Sequence, residues 1–201
     1  EQVIDGKGWR SGVVVERKKL SQWFFNIKKF SQNLLDDLNK LKNWPDKVKL
    51  MQKNWIGKSF GCHINFQIDK KNNNENIKVF TTRPDTIFGV NFMVLSPEHP
   101  LVAELTMASQ KEDVVAYVNK AKLKSERERQ ADKSVSGVFT GSYAIHPFSG
   151  ERVAIWIGEY VLSTYGTGAV MAVPCGDQRD WDFASHFGIE IINIFEDIDV
   201  S

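Results

Sequence analysis

The chain has 201 residues, of which 42% are hydrophobic and 25% charged, values that fit a globular domain and exclude disordered, fibrous and disulfide-framework classes. Its net charge of +1 conceals a lopsided distribution: residues 1–60 hold 13 basic against 6 acidic side chains, net +7, and the remainder is net −6. A basic half suits a polyanion such as nucleic acid, and equally a lysine-rich solvated face.

No apolar stretch approaches the ~18 residues of a membrane span, and the charged opening Glu1 to Arg10 is no signal peptide, so no membrane partner is expected. Cys62 and Cys175 stand far apart without a CxxC pattern. Buried free thiols, no zinc and a reducing, cytoplasmic compartment are the expectation.

In chain order, Gly12–Glu16 and Gln22–Ile27 are rich in Val, Phe and Trp and predict strands. Phe30, Leu34, Leu35, Leu38 and Leu41 recur at helical steps, predicting a helix that Trp44-Pro45 stops. Val48, Met51 and Trp55 continue a second short helix ended by Gly57. Cys62–Ile68 and Ile77–Thr81 alternate as strands around the Asn-rich hairpin loop Lys70–Asn76. Further on, Ile87–Leu95, Val153–Ile157 and Ala169–Val173 predict strands, and Glu98–Ser109, Asp113–Gln130 and Asp177–Phe187 predict helices. Short strands interrupted by helices predict an α+β fold around a curved sheet or small barrel. The glycines match neither GxGxxG nor GxxxxGK[ST], which argues against a dinucleotide or P-loop site.

Three clusters could carry chemistry. Thr81-Thr82-Arg83-Pro84-Asp85-Thr86 crowds three hydroxyls, a guanidinium and a carboxylate onto one strand end. Arg83 could fork onto a phosphate and the threonines could donate to an oxyanion; an ordinary Pro-Asp turn has the same wording. In Tyr165-Gly166-Thr167-Gly168-Ala169 the glycines allow close backbone approach to a ligand, or form a bulge. Asp177 and Asp180 share one face of a helix start, suited either to a cationic amino group or to capping the helix and its dipole. His63, His99, His146 and His186 stand isolated, with no nucleophile context.

Taken together, Thr81–Thr86 followed by Ile87-Phe88-Gly89, Leu95-Ser96-Pro97-Glu98-His99-Pro100-Leu101, Tyr165–Pro174 and Asp177-Gln178-Arg179-Asp180 resemble the editing domain of leucyl-tRNA synthetases. Trp9-Arg10-Ser11-Gly12, Gln22-Trp23-Phe24, Met51–Ser59 and Ala144-Ile145-His146-Pro147 are similar to the stretches that frame this domain, so the resemblance covers nearly the whole chain, with residues 111–133 and the Asn-rich loop the least informative. Isoleucyl and valyl enzymes carry related domains. HIGH-type and KMSKS motifs are absent, as in an excised insertion domain without synthetic activity.

The resemblance implies a β-barrel-like domain with peripheral helices over residues 1–201, with framing segments 1–60 and 188–201 and a core at 61–187. It implies post-transfer editing: hydrolysis of norvaline, isoleucine or a similar mimic from the 3′-terminal adenosine of tRNA(Leu), sparing leucyl-tRNA. One methyl distinguishes aliphatic side chains by only ~1–3 kcal/mol, so a second sieve is needed. A non-catalytic tRNA-binding module and an isoleucyl or valyl editing domain are the alternatives. By the resemblance, Thr86 is the gate against leucine. Asp180 holds the α-ammonium with Asp177 ordering the loop, and Arg83 meets the terminal phosphate. Thr81 and Thr82 position the ester, and Tyr165, Gly166, Gly168, Met171 and Val173 line the pockets. A water bound by backbone groups and the ribose hydroxyl is the nucleophile; no metal or cofactor is implied, ATP belonging to the synthetic core. The expected partners are tRNA(Leu) and the rest of the parent synthetase, the domain acting as a monomer. The family has His before the first acid, where this chain has Gly176.

Overall fold

A computed structural model describes residues 2–15, 21–70, 75–164 and 166–196. The chain divides into two compact units, 18–60 on the one hand and 1–17 with 61–201 on the other.

The larger unit opens with β1 (Val3–Ile4) and β2 (Lys7–Gly8), a two-stranded antiparallel ribbon. The smaller unit carries α1 (Ser31–Asp37) and α2 (Asp46–Ile56), with 3-10 turns at Ile27–Phe30 and Leu38–Lys40. Pro45 precedes the first helical residue of α2, and Gly57 closes the helix in the left-handed region at φ 60°, as its position predicts. None of residues 21–60 is buried. Trp23 and Phe25 are almost fully exposed, and neither predicted strand forms. Residues 12–15 contribute one bridge, Val14 to Lys7, and Glu16 lies outside the described residues. Apolar composition mimics a strand here without a partner to complete one.

Residues from 61 onward build one six-stranded sheet. Its strands are β3 (Cys62–Ile68), β4 (Asn76–Thr81), β5 (Phe92–Leu95), β6 (Gly137–Ile145), β7 (Arg152–Gly158) and β8 (Ala169–Ala172), in the order β4-β3-β6-β7-β5-β8. Only β5 and β7 run parallel. All four residues of β5 are buried, as befits a central strand covered on both faces. Met93 and Leu95 join the main core with Phe66, Val79 and Ile155, whereas Phe92 and Val94 join Phe183 and Ala184 of the last helix. The edge strands β4 and β8 lie within 8 Å of each other but share no ladder. The sheet is therefore barrel-like and open, within the expected α+β class.

Helices α3 (Val102–Leu105), α4 (Lys111–Lys122), α5 (Glu126–Ala131) and α6 (Gln178–Phe187) surround it. The helix expected at Glu98–Ser109 shrinks to α3 because Pro97 and Pro100 oppose helical continuation upstream. The one expected at Asp113–Gln130 is two: Ser125 accepts from the Glu128 backbone while Glu128 accepts from the Ser125 N–H, a capping box that restarts the chain as α5. Residues 84–89 form a 3-10 helix, so the strand expected from Ile87 begins at Phe92.

The nine-residue β6 carries no apolar alternation because its buried positions include Thr140 and Ser142, whose hydroxyls donate to the Ile155 and Leu105 carbonyls at 2.6 Å. Its bulge needs Gly141, at φ 83°, where a Cβ would stand 2.8 Å from the Met107 side chain. Cys175 is buried as expected, but Cys62 is exposed, at the start of β3 beside Gly61.

Candidate active site

A cleft of about 460 Å³ opens where β4 and β8 run unpaired. Phe80, Thr81 and Thr82 form one wall, Val170 and Met171 of β8 another, and Tyr160, Val161 and Leu162 after β7 a third. Asp177, Arg179 and Asp180 close it from the start of α6, and Gln130 reaches it from α5. The volume lies within the ~300–1,000 Å³ of small-molecule sites.

Asp177 caps α6: its Oδ1 accepts from the Arg179 N–H at 2.9 Å and the Asp180 N–H at 3.4 Å. The Arg179 guanidinium pairs with its Oδ2 at 3.2 Å. Burial pushes the Asp177 carboxyl up, but the hydrogen bonds and charge of Arg179 outweigh it and hold the group below the usual carboxylate range. Capping and charge placement thus coexist in one residue.

Asp180 differs sharply from its neighbour. Only 7% of it is exposed, its Oδ1 accepts from the Tyr160 hydroxyl at 2.8 Å, and its Oδ2 accepts from the Val173 N–H at 2.9 Å. Burial raises its pKa to about 6, with the charge of Asp177 adding to the rise; the two hydrogen bonds and Arg179 oppose it. At neutral pH the cleft therefore holds a desolvated carboxylate, which favours a cationic group that replaces the lost water.

Thr81, Thr82, Met171, Asp177 and Asp180 thus meet in one cleft. Val173 contributes its N–H to Asp180 but does not line the cleft. Arg83 is exposed, and its guanidinium forks onto Asp85 at 2.8 to 3.2 Å. Thr86 is buried, its hydroxyl donating to the Arg83 carbonyl at 2.9 Å, and it does not line the cleft. Gly166 and Gly168 both have positive φ, 58° and 73°. A Cβ on Gly166 would stand 3.5 Å from Phe80, and the Gly168 carbonyl accepts from the Ser96 N–H at 2.8 Å. Tyr165 lies outside the described residues. Among the described residues, no three His, Cys, Asp or Glu side chains gather to hold a metal ion. No helix among them is long and apolar enough to cross a membrane.

Sequence reasoning missed Tyr160, Gln130 and the 161–162 wall, which reach the cleft only through the strand order. His146, named from the sequence only as isolated and within a framing stretch, is buried, with Nδ1 accepting from the Phe148 and Ser149 N–H groups and Nε2 donating to the Ile87 carbonyl at 3.0 Å. That ring ties the β6–β7 turn to the 3-10 helix carrying Thr86. Gly176 has no positive φ, and a Cβ there would meet only Val173, at 3.5 Å or more. Gly176→His should therefore leave the melting temperature unchanged or raise it by about 1–4 °C, by restricting the unfolded chain. A fall in a thermal melt would show that the turn needs glycine.

An open, barrel-like α+β sheet whose cleft gathers Thr81, Thr82 and the buried Asp180 defines an editing domain of the aminoacyl-tRNA synthetase kind. The chain belongs to the leucyl-tRNA synthetase editing-domain family, whose model matches residues 53–201. It is 56% identical over 202 residues to a leucine–tRNA ligase of Christiangramia forsetii and 53% identical over 207 residues to that of Flavobacterium johnsoniae. In each case the match spans the whole chain and 21% of the relative's length. Among solved structures it is similar to the Agrobacterium radiobacter K84 agnB2 LeuRS, from a ternary complex with tRNA and LeuAMS. That similarity has a TM-score of 0.76 and 38% identity, over all of this chain and 24% of the other.

Proposed function

We propose that the cleft hydrolyses the aminoacyl ester of mischarged tRNA(Leu), taking norvaline, isoleucine or a similar mimic and sparing leucine. The observation that carries this reading is the desolvated Asp180 carboxylate lining the same cleft of about 460 Å³ as Thr81 and Thr82. Asp180 binds the substrate's α-ammonium. This fixes the ester carbonyl toward the threonine hydroxyls, which donate to the developing oxyanion. Asp177 orders the loop and holds Arg179. Met171 lines the pocket, the family resemblance assigns Tyr165 and Val173 to substrate binding as well, and Gly166 and Gly168 let backbone approach the terminal nucleoside. Arg83 meets the terminal phosphate by sharing its fork with, or leaving, Asp85. Thr86 sets the volume that leucine exceeds. The attacking water is oriented by backbone groups and the free ribose hydroxyl, and neither metal nor ATP takes part. The domain acts within a larger synthetase, which supplies most of the tRNA contacts, and needs no second copy of itself.

The ammonium anchor works only when ionised. With Asp180 at about 6, kcat/KM for norvalyl-tRNA(Leu) should fall about tenfold per unit below pH 6, and fall again at alkaline pH as the substrate's own α-ammonium loses its proton. The profile is measured after subtracting the Asp180→Asn background, which removes base-catalysed loss of the ester. A flat profile from pH 5 to 7 would remove Asp180 from the ammonium site.

A further inference from the structure

We propose that Tyr160 is a positioning residue for the Asp180 carboxylate, and that helices α4 and α5 act as the clamp that holds Tyr160 in place. The inference rests on the ester-hydrolase reading of the cleft and concerns the part of the chain with the least informative sequence.

Tyr160 lies in the turn after β7, and its neighbours are gripped from one side. Arg129 of α5 is buried, and its guanidinium donates to the Glu159 carbonyl at 2.9 Å and the Val161 carbonyl at 2.8 Å, bracketing Tyr160 on both sides. The third arm of that guanidinium reaches Glu98 at 2.7 Å. From α4, the Tyr117 hydroxyl accepts the Glu159 N–H at 3.0 Å. Lys124, just past α4, pairs with the Glu159 carboxylate at 2.8 Å. Three side chains of the helical segment thus hold Glu159 and Val161, the two residues that flank Tyr160. The fixed turn then presents the Tyr160 hydroxyl to Asp180 Oδ1 at 2.8 Å, while the Val173 N–H takes Oδ2. Each carboxylate oxygen is held by one donor and keeps a lone pair for a ligand.

Burial first, and the charge of Asp180 next, push the Tyr160 phenol well above its ordinary range, so at working pH it remains a donor. The other charged groups lining the cleft beside Asp180 are Asp177 and Arg179. Those two pair with each other, which leaves Tyr160 as the side-chain donor aimed at Asp180 among the described residues.

The test is Tyr160→Phe, which removes one oxygen and keeps the ring. The acid limb of kcat/KM for norvalyl-tRNA(Leu) should move up by about one pH unit, so that at pH 6.5 the rate falls roughly threefold while above pH 8 it recovers. A general loss of packing would lower the rate at every pH and leave the limb in place. An unmoved limb overturns the proposal. The Asp180 carboxyl is also titrated directly by carbon NMR in substrate-free wild-type and Tyr160→Phe protein. If the wild type does not hydrolyse the ester, the functional reading fails, yet an upward shift of that titration still supports the positioning role and no shift still refutes it. Arg129→Lys keeps the charge but cannot bracket both carbonyls, and it should move the same titration in the same direction, by less. Should Tyr160→Phe not fold, the Arg129→Lys titration decides alone.

Discussion

Replacing Asp180 with Asn abolishes hydrolysis of norvalyl-tRNA(Leu) and at the same time makes the domain more stable at pH 7.5. Activity is lost because a neutral amide cannot neutralise the α-ammonium. A charge-assisted bond to a buried carboxylate contributes ~1.5–3 kcal/mol, and the unpaired ammonium would carry its own desolvation penalty, so a loss of 100-fold or more is expected. Stability rises because folding lifts the carboxyl from 3.8 to about 6. A group raised in this way binds its proton more tightly in the folded chain than in the unfolded one. Its contribution to stability is therefore most favourable below about pH 4, declines as pH rises toward 6, and is a fixed penalty above that. The penalty is ~2–3 kcal/mol, and asparagine escapes it while its amide can still pair with the Val173 N–H and the Tyr160 hydroxyl. A denaturation midpoint at pH 7.5 that falls in Asp180→Asn, or a variant that keeps full hydrolysis, contradicts the account. Such opposition between stability and activity is usual where a site holds a desolvated charge.

Thr86→Ala has the second large effect: it should turn leucyl-tRNA(Leu) into a substrate. A methyl in an apolar pocket is worth about 10–200-fold in selectivity, so the preference for norvalyl over leucyl ester should collapse by that order. Thr86 does not itself line the cleft; it is buried in the 3-10 helix that follows the Thr81–Thr82 wall and its hydroxyl holds the Arg83 carbonyl, so the proposed gate acts by fixing that turn. The Arg83 carbonyl also accepts from the backbone N–H of residue 86, at 3.3 Å, a bond that alanine can keep, so the fold should lose only about 1 kcal/mol. If leucyl ester remains intact with the variant folded, the gate lies instead among Phe80, Val170, Met171 and their neighbours lining the cleft.

Much of this arrangement was legible in the sequence, and the parts that were not share a cause. Strands β3, β4, β7 and β8 and helix α6 announce themselves because their buried residues are aliphatic or aromatic at the right period, as in Ile77 and Val79 or Phe183 and Ala184. Strand β6 was silent because Thr140 and Ser142 face inward, their polarity satisfied by carbonyls of other segments that no local pattern reveals. The apolar Trp23, Phe24 and Phe25 erred in the opposite sense, resembling a strand while lying exposed. Within the site, Asp177 and Asp180 were readable as a pair from their spacing. Their division into a low-pKa cap and a raised, buried acid was not, since it depends on how deeply the fold buries Asp180, under Tyr160 from the turn after β7, while Arg179 pairs with Asp177. Residues 111–133 read only as one long helix, yet through Tyr117, Lys124 and Arg129 they hold the turn that reaches Asp180.

The central claim is that this cleft removes a wrong amino acid from tRNA(Leu) and spares the right one. The most direct measurement is single-turnover hydrolysis of norvalyl- and leucyl-tRNA(Leu) by the chain at high protein concentration, beside the Asp180→Asn protein. Loss of the norvalyl ester alone, absent with Asp180→Asn, is the predicted result. Equal loss of both esters, or norvalyl hydrolysis that Asp180→Asn retains, would contradict it.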